Sequence, residues 1–114
     1  MDKIHAKKSL GQNFLHDKNI IEKIVTNNSI KDNDLVIEIG PGKGALTKEL
    51  KRFGSQIICY EIDERMRPIL SELEDEKLKV IYGDFLVRDI NKDIETIKYN
   101  NLYINNMSML QFFC

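Results

Sequence analysis

One junction limits what this chain can fold into. Leu35-Val36-Ile37-Glu38-Ile39 runs straight into Gly40-Pro41-Gly42-Lys43-Gly44, and Ala45-Leu46-Thr47-Lys48-Glu49-Leu50 then resumes a helical pattern. A short, β-branched, mostly apolar run is the profile of a buried strand. The glycines let the backbone turn sharply and let a ligand approach the main chain without interference from a Cβ. Strand, glycine turn and helix is the order found in nucleotide-binding loops. The spacing here is G-x-G-x-G, not the G-x-G-x-x-G of dinucleotide sites, and no Gly-Lys-Ser/Thr follows to make a P-loop. Taken alone, the loop reads equally well as a structural turn.

The rest of the chain repeats the alternation. Asp17 suits the N-cap of a first helix, with Ile20, Ile21, Ile24 and Val25 on one face. Strands are predicted at 35–39, 56–60, 79–82 and 101–104. Helices are predicted at 45–50 and 65–73, with Pro68 in the first turn of the latter, and a weak one at 91–97. This alternation predicts an α/β fold with a parallel sheet flanked by helices on both faces.

Size and charge narrow the class. The chain has 114 residues, which suggests one domain, and 42% hydrophobic with 31% charged residues is an ordinary soluble composition. No apolar run approaches the ~20 residues of a membrane span, and the polar N-terminus is no secretory signal. A cytoplasmic protein is expected. Cys59 and Cys114 supply neither a disulfide framework nor metal-ligand spacing, so no metal is expected. The net charge of −1 is not that of a free-standing nucleic-acid binder. Residues 1–16 nevertheless form a basic arm in which Lys3, Lys7 and Lys8 offer contacts to phosphate.

Two acidic residues sharpen the reading. Glu61 ends the second strand about 20 residues beyond Gly40, where a carboxylate can accept hydrogen bonds from both hydroxyls of a ribose. Asp84 closes the third strand, placed to receive an adenine amine or to order the loop beside it. Together with the glycine loop, these residues predict a nucleoside site at the carboxyl ends of one parallel sheet. The glycine spacing suits an amino-acid tail better than a pyrophosphate, which points to S-adenosylmethionine and away from NAD.

Four segments carry a family resemblance. Lys7-Lys8-Ser9-Leu10-Gly11-Gln12-Asn13-Phe14-Leu15, the run 36–47 around the glycine loop, Tyr60-Glu61-Ile62-Asp63 and Gly83-Asp84-Phe85-Leu86 occur in order. They resemble the motifs of the KsgA/RsmA family of small-subunit rRNA adenine N6,N6-dimethyltransferases, over residues 3 to about 107. The erythromycin-resistance methyltransferases of large-subunit rRNA share the Gln-Asn-Phe element, but Pro41 favours the small-subunit side. The resemblance implies a Rossmann-like class I methyltransferase sheet, of which strands 3-2-1-4 lie in this chain, with S-adenosyl-L-methionine as cofactor. It implies that Gln12, Asn13 and Leu15 enclose the methionine end and that Gly40 and Gly42 meet the amino-acid tail. Glu61 would bind the ribose, Ile62 would pack on the adenine, Asp84 would bind the adenine amine, and Phe85 would form an apolar wall. The implied partner is small-subunit rRNA or the pre-ribosomal small subunit.

The fourth motif departs from the family. Asn-Leu-Pro-aromatic is expected after the fourth strand, where the Asn and Pro oxygens accept from the amine of a flipped adenine and the aromatic stacks on it. Positioning of this kind needs no strong base. Asn106 matches the motif Asn, and so is the candidate catalytic and cofactor-side residue. Ser108 stands in place of Pro and Met109 in place of the aromatic. The expectation is therefore a C-terminally truncated S-adenosylmethionine-binding domain over 1–114, inactive by itself. Either the chain is shortened or the reading frame changes just after Met107, and strand 4 is left as an exposed edge. A non-catalytic module binding cofactor or RNA is the alternative of another class. An NAD-linked fragment is disfavoured by the glycine spacing.

Overall fold

The computed structural model describes residues 30–106. Its organising element is β1 (Leu35–Ile39), whose side chains alternate between two faces and are buried on both. Leu35, Val36 and Ile37 are each at most 1% exposed. A strand apolar on both faces belongs in the middle of a covered sheet. Accordingly β1 pairs in parallel with β2 (Gln56–Glu61) on one side and β4 (Leu102–Asn106) on the other. The third strand, β3 (Leu78–Tyr82), pairs outside β2, giving the order β3-β2-β1-β4. This is the parallel 3-2-1-4 arrangement expected from the sequence. One face packs α1 (Ala45–Arg52) and α2 (Arg67–Leu70) around Val36, Leu46, Leu50, Ile57 and Leu70. The other packs α3 (Ile90–Ile94) around Leu35, Ile37, Ile58, Tyr60 and Ile94.

The helix and strand ends predicted at 45–50, 56–60 and 79–82 move by one or two residues, and three further differences have a local reason. The stretch 65–73 is not one helix but a 3-10 turn (Glu64–Met66), the short α2 and a second 3-10 turn (Ser71–Leu73). Pro68 has no N–H to return to Glu64, whose carbonyl instead accepts from Arg67 in the tighter 3-10 pattern. α3 is shorter than 91–97 and is capped by Asp89, whose carboxylate accepts from Lys92 N at 3.2 Å. β4 continues to Asn106 because it stays in register with β1 as far as Ile39. β4 has no outer strand neighbour among the described residues, and Leu102 and Ile104 are 38% and 58% exposed. The helix expected from Asp17 lies outside the described residues.

A buried aspartate sets where the central strands begin. Asp34 is 1% exposed, and its carboxylate accepts from Lys31 N at 2.9 Å and from Asn101 N at 3.1 Å. The entries to β1 and β4 are thereby held to one group.

A second buried acid ties β1 to α1. Glu38 Oε2 accepts from Thr47 Oγ1 at 2.5 Å and from Cys59 Sγ at 3.7 Å, while Oε1 has no partner among the described residues. The strap joins the strand entering the glycine turn to the helix leaving it. Burial pushes the Glu38 carboxyl from 4.5 up to about 7, with the Thr47 and Cys59 hydrogen bonds pulling the other way. Burial also raises the Cys59 thiol.

Because the folded state holds the Glu38 proton more tightly than the unfolded chain, this group's contribution to stability is fully present below pH 4.5 and is lost as pH rises to about 7. The loss amounts to about 3 kcal/mol. Urea unfolding at pH 5 and pH 8 should show the chain weakening with pH across that window, and Glu38→Gln should remove most of the slope. An unchanged slope in the variant would assign the pH dependence elsewhere. Gly44, at the N-cap of α1, has φ +83°, and a Cβ there would meet Leu73 Cδ1 at 2.8 Å. Gly44→Ala should therefore cost about 1–2 kcal/mol of stability, read in the same unfolding experiment.

Candidate functional site

The carboxyl ends of all four strands open onto one cleft. Ile39 and Gly40 follow from β1, Tyr60 and Ile62 from β2, Gly83 to Leu86 from β3, and Asn106 ends β4; together they enclose about 360 Å³. That is the size of a small-molecule site, at the place where a doubly wound sheet reverses its strand order. A more polar recess of about 270 Å³ lies at the opposite, amino ends of the strands, beside Gln56 and Lys77. None of the residues predicted from sequence lines that recess.

The glycine loop is shaped by backbone conformations open to glycine. Gly40 and Gly42 have φ of +69° and +60°, and a Cβ at either would meet nothing within 4 Å among the described residues. The loop is therefore open to close approach by a ligand. It is held from behind: Gly40 N donates to the Tyr60 carbonyl at 2.8 Å. Glu61 Oε1 accepts from Gly42 N at 3.0 Å, and Oε2 accepts from Asp63 N at 3.1 Å. Glu61 is only 6% exposed, so it is not a solvated loop residue. A carboxylate offers about four acceptor positions, and two are used here. The remaining capacity suits the paired hydroxyls of a ribose. The Gly42 amide is taken up by a side chain of the neighbouring strand.

The opposite wall follows β3. Asp84 Oδ1 accepts from Leu86 N at 2.9 Å, which caps the 3-10 turn Phe85–Val87. The loop-ordering role foreseen for Asp84 is thus present in the geometry. Phe85 packs edge-on against Tyr60, with ring centroids 5.1 Å apart. Ile62 is 71% exposed on the rim. Asn106 stands opposite Ile39 in the β1–β4 register.

Sequence reasoning missed a group behind this wall. The Tyr60 hydroxyl donates to Asp93 Oδ2 at 2.8 Å, and Arg88 donates to both Asp93 oxygens, at 2.6 and 3.1 Å. The Arg88 guanidinium holds the Asp93 carboxyl below its usual range, whereas burial and then the Asp93 hydrogen bond raise the Tyr60 phenol. The available signal was a tyrosine inside an otherwise apolar strand, whose hydroxyl needs a partner when buried.

The structure brings Gly40, Gly42, Glu61, Ile62, Asp84, Phe85 and Asn106 to one end of the sheet. Gln12, Asn13, Leu15, Lys3, Lys7 and Lys8 lie outside the described residues, as do Ser108 and Met109. Among the described residues, no group of three or more His, Cys, Asp or Glu side chains is placed to hold a metal ion. No helix among them is long and apolar enough to cross a membrane.

Comparison with known proteins agrees with this geometry. The ribosomal RNA small subunit methyltransferase A of Onion yellows phytoplasma is 48% identical over 79% of this chain and 33% of its own length. A crystallised dimethyladenosine transferase from Plasmodium falciparum superposes with a TM-score of 0.57 at 28% identity, over 78% of this chain and 32% of that one. The 23S rRNA methyltransferase ErmE superposes with a TM-score of 0.53 at 34% identity, over 63% of this chain and 30% of that one. The chain spans about a third of the length of the curated relatives it matches. The defining pattern of the ribosomal RNA adenine dimethylase family matches residues 3–111, nearly the whole sequence. This chain belongs to the ribosomal RNA adenine dimethylase family.

Proposed function

We propose that residues 1–114 form the S-adenosyl-L-methionine-binding domain of an enzyme that dimethylates two adjacent adenines near the 3′ end of small-subunit rRNA. The observation that carries the cofactor reading is the pairing of Glu61 with the open glycine loop: a buried acceptor faces backbone that admits a ligand at close range. Glu61 takes the ribose hydroxyls, Gly40 and Gly42 meet the amino-acid tail, and Asp84 takes the adenine amine. Ile62 and Phe85 supply apolar walls to the adenine ring. Gln12, Asn13 and Leu15 close over the methionine end. S-adenosylmethionine, when bound, supplies the methyl group. Asn106 ends β4 beside the cleft, where its side chain can accept from the amine of a flipped adenine and hold it in line. Lys3, Lys7 and Lys8 contact RNA phosphate. The small-subunit assignment rests on Pro41 in the loop and on the relatives named for that subunit.

A specific departure favours a second reading for this chain on its own. Ser108 and Met109 stand where the family pattern has proline and an aromatic, so the residue types that would offer the second acceptor and the stacking ring are not in the sequence there. On this reading the 114 residues bind cofactor, or RNA, without transferring methyl groups.

Calorimetric titration with S-adenosylhomocysteine should show saturable one-to-one binding. Glu61→Ala should weaken it by roughly 1.5–3 kcal/mol, the range for hydrogen bonds to a charged group. Glu61→Gln, which keeps an oxygen for the Gly42 amide, should fall between the two. Unchanged affinity in Glu61→Ala would remove this residue from the ligand site. Incubation with unmethylated small-subunit particles and labelled cofactor separates the readings. Incorporated label supports the enzyme, and cofactor binding without label supports the non-catalytic module.

A further inference from the structure

Behind the cleft, four side chains close a circuit. Tyr60 forms part of the cleft wall from β2, and its hydroxyl donates to Asp93 on α3 at 2.8 Å. Asp93 is held in a fork by Arg88, at 2.6 and 3.1 Å. Arg88 directly follows the turn Phe85–Val87, and Phe85 returns to Tyr60 with its ring edge-on at 5.1 Å. The turn has little else to hold it. Leu86 and Val87 are 86% and 79% exposed, and the hydrogen bonds described for Asp84 stay within the turn, from Leu86 N to its carboxylate and from Val87 N to its carbonyl. An exposed turn with so few apolar anchors sits at the low end of local stability. A two-pronged charge-assisted contact is the strong restraint available to it.

We propose that Asp93 is a positioning residue: through Arg88 and Tyr60 it fixes the Asp84–Phe85 wall, and so sets discrimination for the amine of the bound adenine. Asp93 does not line the cleft. Its effect passes through the placement of Asp84, which bears the acceptor, and of the Tyr60–Phe85 pair, which forms the floor. A loosened turn leaves the Glu61 end untouched, because Glu61 is held by Gly42 and Asp63. The consequence is selective, with adenine recognition lost ahead of ribose recognition. This discrimination rests on the cofactor reading above; the restraint of the turn does not.

Asp93→Asn keeps size and one acceptor for Tyr60 but breaks the fork to Arg88, and Tyr60→Phe removes only the hydroxyl. The first arm uses the ligand-free chain. Hydrogen exchange at the Leu86, Val87 and Arg88 amides should quicken by about tenfold in Asp93→Asn, with Thr47 and Lys48 in α1 unchanged. The second arm titrates S-adenosylhomocysteine and its inosine analogue, in which oxygen replaces the amine. The unaltered chain should prefer the adenine ligand, and Asp93→Asn should cut that preference by about tenfold, the worth of one hydrogen bond. Tyr60→Phe should shift both readouts in the same direction. Equal weakening of both ligands, or faster exchange throughout the chain, would mean a merely structural role and overturn the proposal. So would unchanged exchange in the turn. If the unaltered chain binds neither ligand, the cofactor reading fails and discrimination with it, while the exchange arm still decides whether Asp93 restrains the turn.

Discussion

The hydrogen bond from Gly42 N to the Glu61 carboxylate is the contact on which the arrangement of the cleft depends. A turn with glycine at three of its five positions, Gly40, Gly42 and Gly44, has few side chains of its own to define its shape. Glycine also loses more conformational freedom on ordering than any other residue. The turn therefore needs an external restraint, and it comes from the end of the neighbouring strand. Parallel pairing of β1 with β2 brings Tyr60 level with Ile39, so Glu61 emerges beside the loop without further arrangement. One acid thus holds the glycine loop and the start of the next turn together, with one oxygen on Gly42 and the other on Asp63.

The other side of the same turn is held by a different device. Glu38 lies one residue from the end of β1, fully buried, and its bond to Thr47 reaches across the turn to α1. The two glutamates do opposite things with similar chemistry. Glu61 meets backbone donors at the mouth of the cleft. Glu38 sits inside, where desolvation raises its carboxyl to about 7 and one oxygen finds no partner among the described residues. A buried acid with that environment is costly when charged. Its retention makes sense as a strap, because Thr47 and Cys59 approach it from the two elements that pack on β1.

Much of this was legible in the residues. The run Leu35 to Ile39 announces a central strand because no position in it but Glu38 prefers water, and the glycines that follow announce a turn. The parallel sheet followed from the alternation, and its strand order from the family resemblance. What the residues hid was pairwise. Asp34 reads as one more polar loop residue between Asn33 and Leu35, yet it is buried against Asn101, far along the chain. Asp93 reads as a helix-surface acid, and only the fold brings it to Tyr60. The helix over 65–73 failed for a local reason, since Pro68 cannot donate to the turn before it and the chain tightened into 3-10 geometry. Periodicity reports which face of an element is apolar, but it carries no information on which distant partner a polar group will meet.

These pairings also explain how a cleft can be well formed at one end of the sheet while β4 keeps an exposed edge. The glycine loop, Glu61 and the Asp84 turn are restrained by β1, β2, β3 and α3, all on one side of the strand-order reversal. Among the described residues of the proposed site, Asn106 alone comes from the far side, on a strand with Ile104 58% exposed. On the proposed reading, the restraints described for the nucleoside half of the cleft come from β1, β2, β3 and α3, whereas a group meant to hold a target base would stand on β4. Binding a cofactor and holding an adenine would then be separable demands on the fold, because they draw on opposite sides of β1.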